Sequence, residues 1–317
     1  MDATGRTERF GGALGLDARA TAGLLVLATR APSLHNSQPW RFRLCPDRIE
    51  LRADACRRLP VADPTGREQR IGCGAALYTL RLALVGAGIR PIVTRVPDAR
   101  DPDLVAVVRR GGTVRASAEQ QRLLDAVPRR RTHRRPFRET PVPGTARSAL
   151  CRAAFEEGAW LQLVTEPAEL VQLGTLAREA HTRQARDPAF AAEVAAWTGD
   201  AGVRDDGVPA SAGGPRPAPV RPGRAPGNGP LIGVLSVHVD GPREDLRAGE
   251  ALQRVLLTAT AEGLAASFLS PLVEVPDVRD RVRRLLGGTR PPQVVLRLGH
   301  GAAGPATPRR APVVEPG

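Results

Sequence analysis

At 317 residues with 42% apolar content, the chain suits two units of about 150 residues or one large one, and it can bury a core without covalent staples. Its 46 basic residues, every one an arginine, outnumber 33 acidic residues for a net charge of +13, yet 3% aromatic content argues against a nucleic-acid binder that stacks bases and favours a dispersed arginine surface with a few phosphate ligands. No run approaches about 18 apolar residues and the N-terminus lacks an apolar core, so neither membrane span nor export signal is expected, and the chain reads as soluble and cytoplasmic.

Residues 18–30 place Ala20, Leu24, Leu27 and Ala28 at helical spacing, and the helix should stop before Pro32. A compact run follows: Ala31-Pro32-Ser33-Leu34-His35-Asn36-Ser37-Gln38-Pro39-Trp40. Phe42, Leu44, Ile49 and Leu51 then alternate around Pro46-Asp47, which predicts a β-hairpin. The cysteines Cys45, Cys56, Cys73 and Cys151 form no C-x-x-C pair and no cluster with histidine, so four buried free thiols are expected rather than a zinc site or a disulfide framework.

Residues 74–89 align with 249–264 without a gap: at an offset of 175, Gly74 meets Gly249, Ala76 meets Ala251, Leu77 meets Leu252, Leu82 meets Leu257 and Gly88 meets Gly263. Val96-Pro97-Asp98 is echoed by Val275-Pro276-Asp277 at an offset of 179. Trp40, Phe42 and Leu44 line up with Trp160, Gln162 and Val164 at an offset of 120, so the second copy carries 55 extra residues between its tryptophan and its central helix. Two copies of one unit are expected.

A second motif opens the second copy: Arg129-Arg130-Arg131-Thr132-His133-Arg134-Arg135-Pro136-Phe137, followed by the turn Thr140-Pro141-Val142-Pro143. Residues 167–198 carry Leu170, Leu173, Leu176 and Ala177 at helical spacing and read as a helical arm. Gly199–Pro230 holds 8 glycines and 7 prolines, which cannot sustain a helix or a ladder; a long loop or lid is expected there. Leu231–Val239 and Gln293–Leu298 read as buried strands, and Leu252, Val255, Leu256 and Ala259 as one helix face. The fold class is therefore α+β, two tandem units with helices around mostly antiparallel sheets, divided as 1–127 and 128–317, with an insertion over about 181–230.

The motifs also carry chemistry. In the first, prolines hold a turn open while Asn36 and Gln38 offer amides able to pair with a polar ring edge, and Trp40 anchors the next strand. In the second, Arg130, Arg131, Arg134 and the Thr132 hydroxyl suit a dianion.

On these two motifs the chain resembles the nitroreductase superfamily, and most closely its Acg-type branch of single-chain pseudo-dimers with an FMN lid; the likeness spans about residues 18–315. The resemblance implies that Pro32, Ser33, Asn36, Gln38 and Pro39 cradle the isoalloxazine ring, and that Arg130, Arg131, Thr132 and Arg134 hold the FMN phosphate. It further implies that Arg309 and Arg310 complete the phosphate site and that the Gly263-Leu264 turn lies near flavin N5. Thr132 stands where the family usually has serine. In the second copy the cradle has become Ala153-Ala154-Phe155-Glu156-Glu157-Gly158-Ala159-Trp160, and in the first copy the basic motif is a faint Arg6-Thr7-Glu8-Arg9-Phe10, so one FMN per chain is expected.

The implied activity is that of an FMN-dependent oxidoreductase moving hydride from NAD(P)H through flavin N5 to a nitro or quinone-like small-molecule acceptor, with no side-chain nucleophile and no metal. His35 and His133 are left as structural donors. The expected form is a monomeric pseudo-dimer without membrane or nucleic-acid partners. The alternative is a non-catalytic protein that sequesters FMN under its lid.

Overall fold

The computed structural model describes residues 11–199, 204–209, 229–302, 304 and 307–316. The Arg6–Phe10 echo and most of the stretch expected as a lid, residues 200–203 and 210–228, lie outside the described residues.

The first unit opens with α1 (Ala18–Ala28), started by the Asp17 carboxylate, which accepts from the Ala20 N–H at 2.7 Å, and ended at Thr29, ahead of Pro32. A single 3-10 turn, Leu34–Asn36, leads into β1 (Trp40–Cys45) and β2 (Arg48–Ala53), an antiparallel hairpin in which Trp40 faces Ala53 and Cys45 faces Arg48. The long helix α2 (Arg67–Gly86), then β3 (Ile89–Arg95) and β4 (Leu104–Thr113), complete the unit. Helix α3 (Ala118–Ala126), held at its start by a Ser117/Gln120 capping box, leads out of it.

The second unit repeats the plan: α4 (Gly144–Glu156), β5 (Trp160–Val164), then an inserted arm of α5 (Pro167–Arg186) and α6 (Pro188–Ala196). Asp187 ends the first arm helix and caps the second through Ala189 N–H at 2.9 Å. Two short parallel strands, β6 (Thr198–Gly199) and β7 (Val208–Pro209), precede β8 (Leu231–Ser236), the long helix α7 (Pro242–Ala261) and β9 (Ala265–Phe268). The chain closes with α8 (Pro271–Glu274), α9 (Pro276–Leu285), β10 (Pro292–Gly299) and β11 (Val314–Pro316).

Both sheets share one topology. The strands run β1-β2-β4-β3 in one and β5-β8-β10-β9 in the other, so each is ordered first, second, fourth, third, with antiparallel neighbours and the long helix between the second and third strands. The last strand, β11, returns to the first sheet and pairs in parallel with β1, setting Val314 opposite Phe42. Glu315 fastens it to Arg41 at 2.7 Å and Arg43 at 3.3 Å.

The seam between the units is α2 against α7, and it obeys the 175-residue offset. A Cβ at Gly74 would sit 2.1 Å from the Leu246 carbonyl oxygen, and one at Gly249 would sit 2.0 Å from that of Ile71. Residues 71 and 74 thus mirror 246 and 249, and glycine is what lets the backbones meet. Each helix also lends a side chain to the other unit: fully buried Leu246 packs in the first core and Ile71 in the second. Polar links cross the same seam, with Gln253 Nε2 donating to Thr79 Oγ1 at 2.9 Å and Arg70 paired to Asp245 at 2.8 Å.

Two expectations need correction. The Val-Pro-Asp echo does not mark one local structure: Val96–Asp101 is the turn joining β3 to β4, whereas Pro276 begins α9 within a longer β9–β10 connection. Proline fits either setting, as a turn residue or as the first helical residue. The four cysteines are free but not all buried; Cys45 and Cys73 are, while Cys151 is half-buried and Cys56 exposed. Among the described residues no helix is long and apolar enough to cross a membrane.

Candidate functional site

A cavity of about 830 Å³ lies where the units meet the arm, a size in the usual range for a cofactor or substrate pocket. Its wall takes Pro32 to Asn36 from the loop after α1, Ile71 and Gly72 from α2, Thr132 to Arg134 from the basic motif, Arg309 near the C-terminus, and one face of α5 and α6. Elements about a hundred residues apart in sequence therefore do converge.

The loop is held in an uncommon shape. His35, Asn36 and Gln38 have φ of 48°, 54° and 51°, a left-handed region that costs of order 1–3 kcal/mol for a non-glycine residue unless the surroundings impose it. Here they do. Gln38 N–H donates to Ser33 Oγ at 2.9 Å and Asn36 N–H to the Ser33 carbonyl at 3.0 Å. Gly72 lets the loop lie against α2, since a Cβ there would sit 3.3 Å from Ser33 Cβ.

The amides of Asn36 and Gln38 turn out to be committed to the protein. Asn36 Nδ2 donates to the Gly207 and Pro308 carbonyls at 3.0 and 3.1 Å, while its Oδ1 accepts from Arg309 at 2.7 Å. Gln38 Nε2 donates to the Asp205 carbonyl at 2.9 Å and its Oε1 accepts from the Arg310 N–H at 2.9 Å. They bind the loop to residues 205–207 and 308–310, and Arg57 adds an ion pair to Asp206 at 2.9 Å. Asn36 lines the cavity; Gln38 and Pro39 stand behind it, the proline carbonyl accepting from the Cys73 thiol at 3.3 Å.

The basic motif divides in the same way. Thr132 bridges to Ala266 of β9 and lines the cavity with Arg134. Arg131 turns back on its own backbone, donating to the Pro128 and Arg130 carbonyls at 2.7 Å each. Arg130 is 4% exposed and donates to the Arg30 carbonyl at 3.0 Å, but its Nε and Nη1 have no partner among the described residues. Arg309 donates to Asn36 and, more weakly, to the Arg30 and Ala31 carbonyls, and its Nε too is buried and, among the described residues, without a partner.

These arginines repel one another. Burial, then Arg131, Arg134 and Arg30, push the Arg130 guanidinium down to about 10. Burial and the positive charges of Arg130, Arg30, Arg131 and Arg134 hold Arg309 well below its ordinary value. Among the described residues none of the five has a carboxylate partner, so the cluster is an excess of positive charge, buried at Arg130 and reaching the surface at Arg134, with free N–H donors on Arg130 and Arg309, an arrangement that suits a bound dianion. Arg310 stands apart, its side chain 3.9 Å from the Asp54 carboxylate.

Gly263 and Leu264 do not line the cavity; they close α7, and Ser267 to Pro271, a few residues on, form the wall instead. Sequence reasoning also missed Arg30, which directly precedes the loop, and the acids Glu68 and Glu274 with Gln184 and His181 of the arm. Only Arg30 had a readable signal, its place beside the motif. His35 lines the cavity with its ring edge-on to Phe190 at 6.3 Å, and burial pushes it down to about 4, so it stays neutral.

No family model matches the chain. It is 36% identical over 314 residues to "Putative NAD(P)H nitroreductase Rv3131" of Mycobacterium tuberculosis, covering 93% of this chain and 90% of that protein. It is 32% identical over 303 residues to the same organism's NAD(P)H nitroreductase homologue acg, covering 90% and 91%. Among solved structures, a nitroreductase with bound FMN from Desulfitobacterium hafniense aligns at 15% identity and a TM-score of 0.40 over 60% of this chain and 94% of that one. On the likeness to its mycobacterial relatives, which runs nearly end to end, the chain belongs to the nitroreductase family, in the branch that contains acg.

Proposed function

We propose that the protein is an FMN-dependent NAD(P)H oxidoreductase with one flavin site per chain. The observation that carries this reading is the cluster of Arg30, Arg130, Arg131, Arg134 and Arg309, without a carboxylate partner among the described residues, of which Arg134 and Arg309 line the same cavity as the loop 32–36. Buried guanidinium groups without counter-ions are costly, and a ligand phosphate would satisfy them.

When bound, FMN supplies two-electron chemistry between a reduced nicotinamide and an oxidised acceptor such as a nitroaromatic or a quinone. The chain's own part is to bind and orient. Arg130, Arg134 and Arg309 with the Thr132 hydroxyl hold the phosphate, and Pro32 to Asn36 set the ring against α2. Asn36 and Gln38 act one step back, fixing the loop through residues 205–207 and 308–310. Phe190 and Val194 of the arm give the cavity an apolar wall.

The alternative of a flavin store without turnover gains no support from the relatives, whose names are those of reductases. The test is the visible spectrum of the purified protein, the flavin released per chain, and stopped-flow mixing with NADH or NADPH. A yellow protein that bleaches within seconds is expected. A protein that stays colourless after incubation with FMN overturns the reading, and a yellow one that never bleaches returns it to storage.

A further inference from the structure

The cavity wall carries a second charged group, built across the seam and far from balanced. Glu68 comes from α2 and Glu274 from α8. One guanidinium, Arg67, is within reach, and it is spent elsewhere: it pairs with Glu68 at 2.5 Å and donates to the Val273 and Gln293 carbonyls and to Gln293 Oε1. Glu274 is left with neutral donors, Gln184 Nε2 at 2.6 Å on Oε2 and the nearby Ser270 hydroxyl. Its Oε1 is shielded from solvent and has no hydrogen-bond partner among the described residues.

The other charged or titratable groups around it are Arg178 and His181 on α5, Asp277 and Arg279 on α9, and Arg297 on β10. Asp277 is paired with Arg183 and Arg279 with Asp240. Two largely desolvated carboxyls facing each other with Arg67 as their shared cation favour retaining a proton, and burial together with Glu68 pushes Glu274 up to about 8. At neutral pH Glu274 is thus an acid, with Oε2 accepting from Gln184 and Oε1 left to carry the proton. The last torsion of a glutamate is soft, so a small rotation turns that O–H toward the cavity.

We propose, on the basis of the function above, that Glu274 is the proton donor to an oxygen-centred acceptor, a quinone or its like, reduced in this cavity. The acceptor gains a hydride equivalent that originates in NAD(P)H, and its oxygen takes the Glu274 proton. The carboxyl O–H bond breaks, the hydroquinone O–H bond forms, and the electron pair stays on the carboxylate until solvent returns a proton.

The test separates electron flow from proton flow. With the flavin-loaded protein, Glu274→Gln should leave NAD(P)H bleaching within about twofold and slow reoxidation by a quinone about a hundredfold, a typical worth of a positioned general acid. Reoxidation by ferricyanide, which takes electrons without a proton, should not change. In the unaltered protein, quinone reoxidation should fall as pH rises through about 8 while ferricyanide reoxidation does not. In the flavin-free protein, infrared difference spectra below and above that pH should show a protonated carboxyl band that Glu274→Gln lacks. Unchanged quinone reoxidation in Glu274→Gln, with bleaching intact, overturns this proposal alone; loss of bleaching in the unaltered protein overturns the proposed function and this proposal with it.

Discussion

At the scale of single residues, Arg130 states the cost of the site most plainly. It is buried, makes one hydrogen bond, and is crowded by like charges. Replacing even a paired buried ion by apolar side chains of similar volume is often neutral or stabilising by about 1–4 kcal/mol, and Arg130 has no carboxylate to repay its burial among the described residues. Arg130→Met should therefore leave the flavin-free protein at least as resistant to urea as the original. It should also weaken FMN about tenfold or more, because a hydrogen bond to a charged group is worth about 1.5–3 kcal/mol. A loss of flavin-free stability with unchanged FMN affinity would return Arg130 to a structural role. Glu274 makes a prediction of opposite origin. Its carboxyl is raised from 4.5 to about 8, so between those values the folded protein holds a proton that the unfolded chain has released, and stability should fall as pH rises through that window. Half-buried Glu68 and buried Asp245, both raised by desolvation, act in the same direction. In Glu274→Gln the urea midpoint should therefore decline less steeply over this range, and an unchanged slope would contradict the protonated state.

At the scale of elements, the seam rests on two glycines. Gly74→Ala and Gly249→Ala each drive a Cβ into the backbone of the opposite helix, and overpacking of this kind costs about 1–3 kcal/mol or more. Gly23→Ala in α1, exposed with open space around it, should instead stabilise by about 0.5–1 kcal/mol through helix propensity. Urea titrations of the three variants should give two large losses of similar size and one small gain; unequal losses at the seam would deny its pseudo-symmetry. The gap-free 175-residue repeat made the two matched units readable, whereas the contact of their helices through Gly74 and Gly249 appears only in the folded chain. Helix α1, the hairpin, the arm and the strands β8 and β10 were likewise readable from spacing and turn residues. The site was readable where a motif is contiguous and obscure where a wall is assembled by folding. Pro32 to Asn36, Thr132, Arg134 and Arg309 do meet, whereas Glu68, Gln184 and Glu274 are isolated acids and amides in three helices, and their surroundings exist only in three dimensions. The amides of Asn36 and Gln38 show the reverse case, in which residue type was informative but partners 167 to 273 positions away could not be foreseen.

At the scale of the whole molecule, the two sheets repeat one strand order while the residues at the position of the proposed site do not repeat. Where the first unit has its cradle, the second has the end of α4, with Ala153 and Ala154 buried in its own core. Glu156 and Glu157 there pair with Arg254, and Glu157 also holds Arg81 at 2.7 Å, so the counterpart of the loop 32–40 is an acid cluster tied to seam arginines. A second FMN would meet negative charge. Because Leu246 completes the first core and Ile71 the second, neither half can lose its packing without exposing the other's, and the chain should unfold in one cooperative step. FMN should therefore stabilise the molecule as a whole, by about 2.7 kcal/mol at a free concentration one hundred times the dissociation constant. Calorimetric titration should count one FMN per chain, and the single thermal transition should move upward as FMN is added. Two transitions, with only one responding to ligand, would show that the seam does not couple the halves; a stoichiometry of two would show that the degenerate copy still binds.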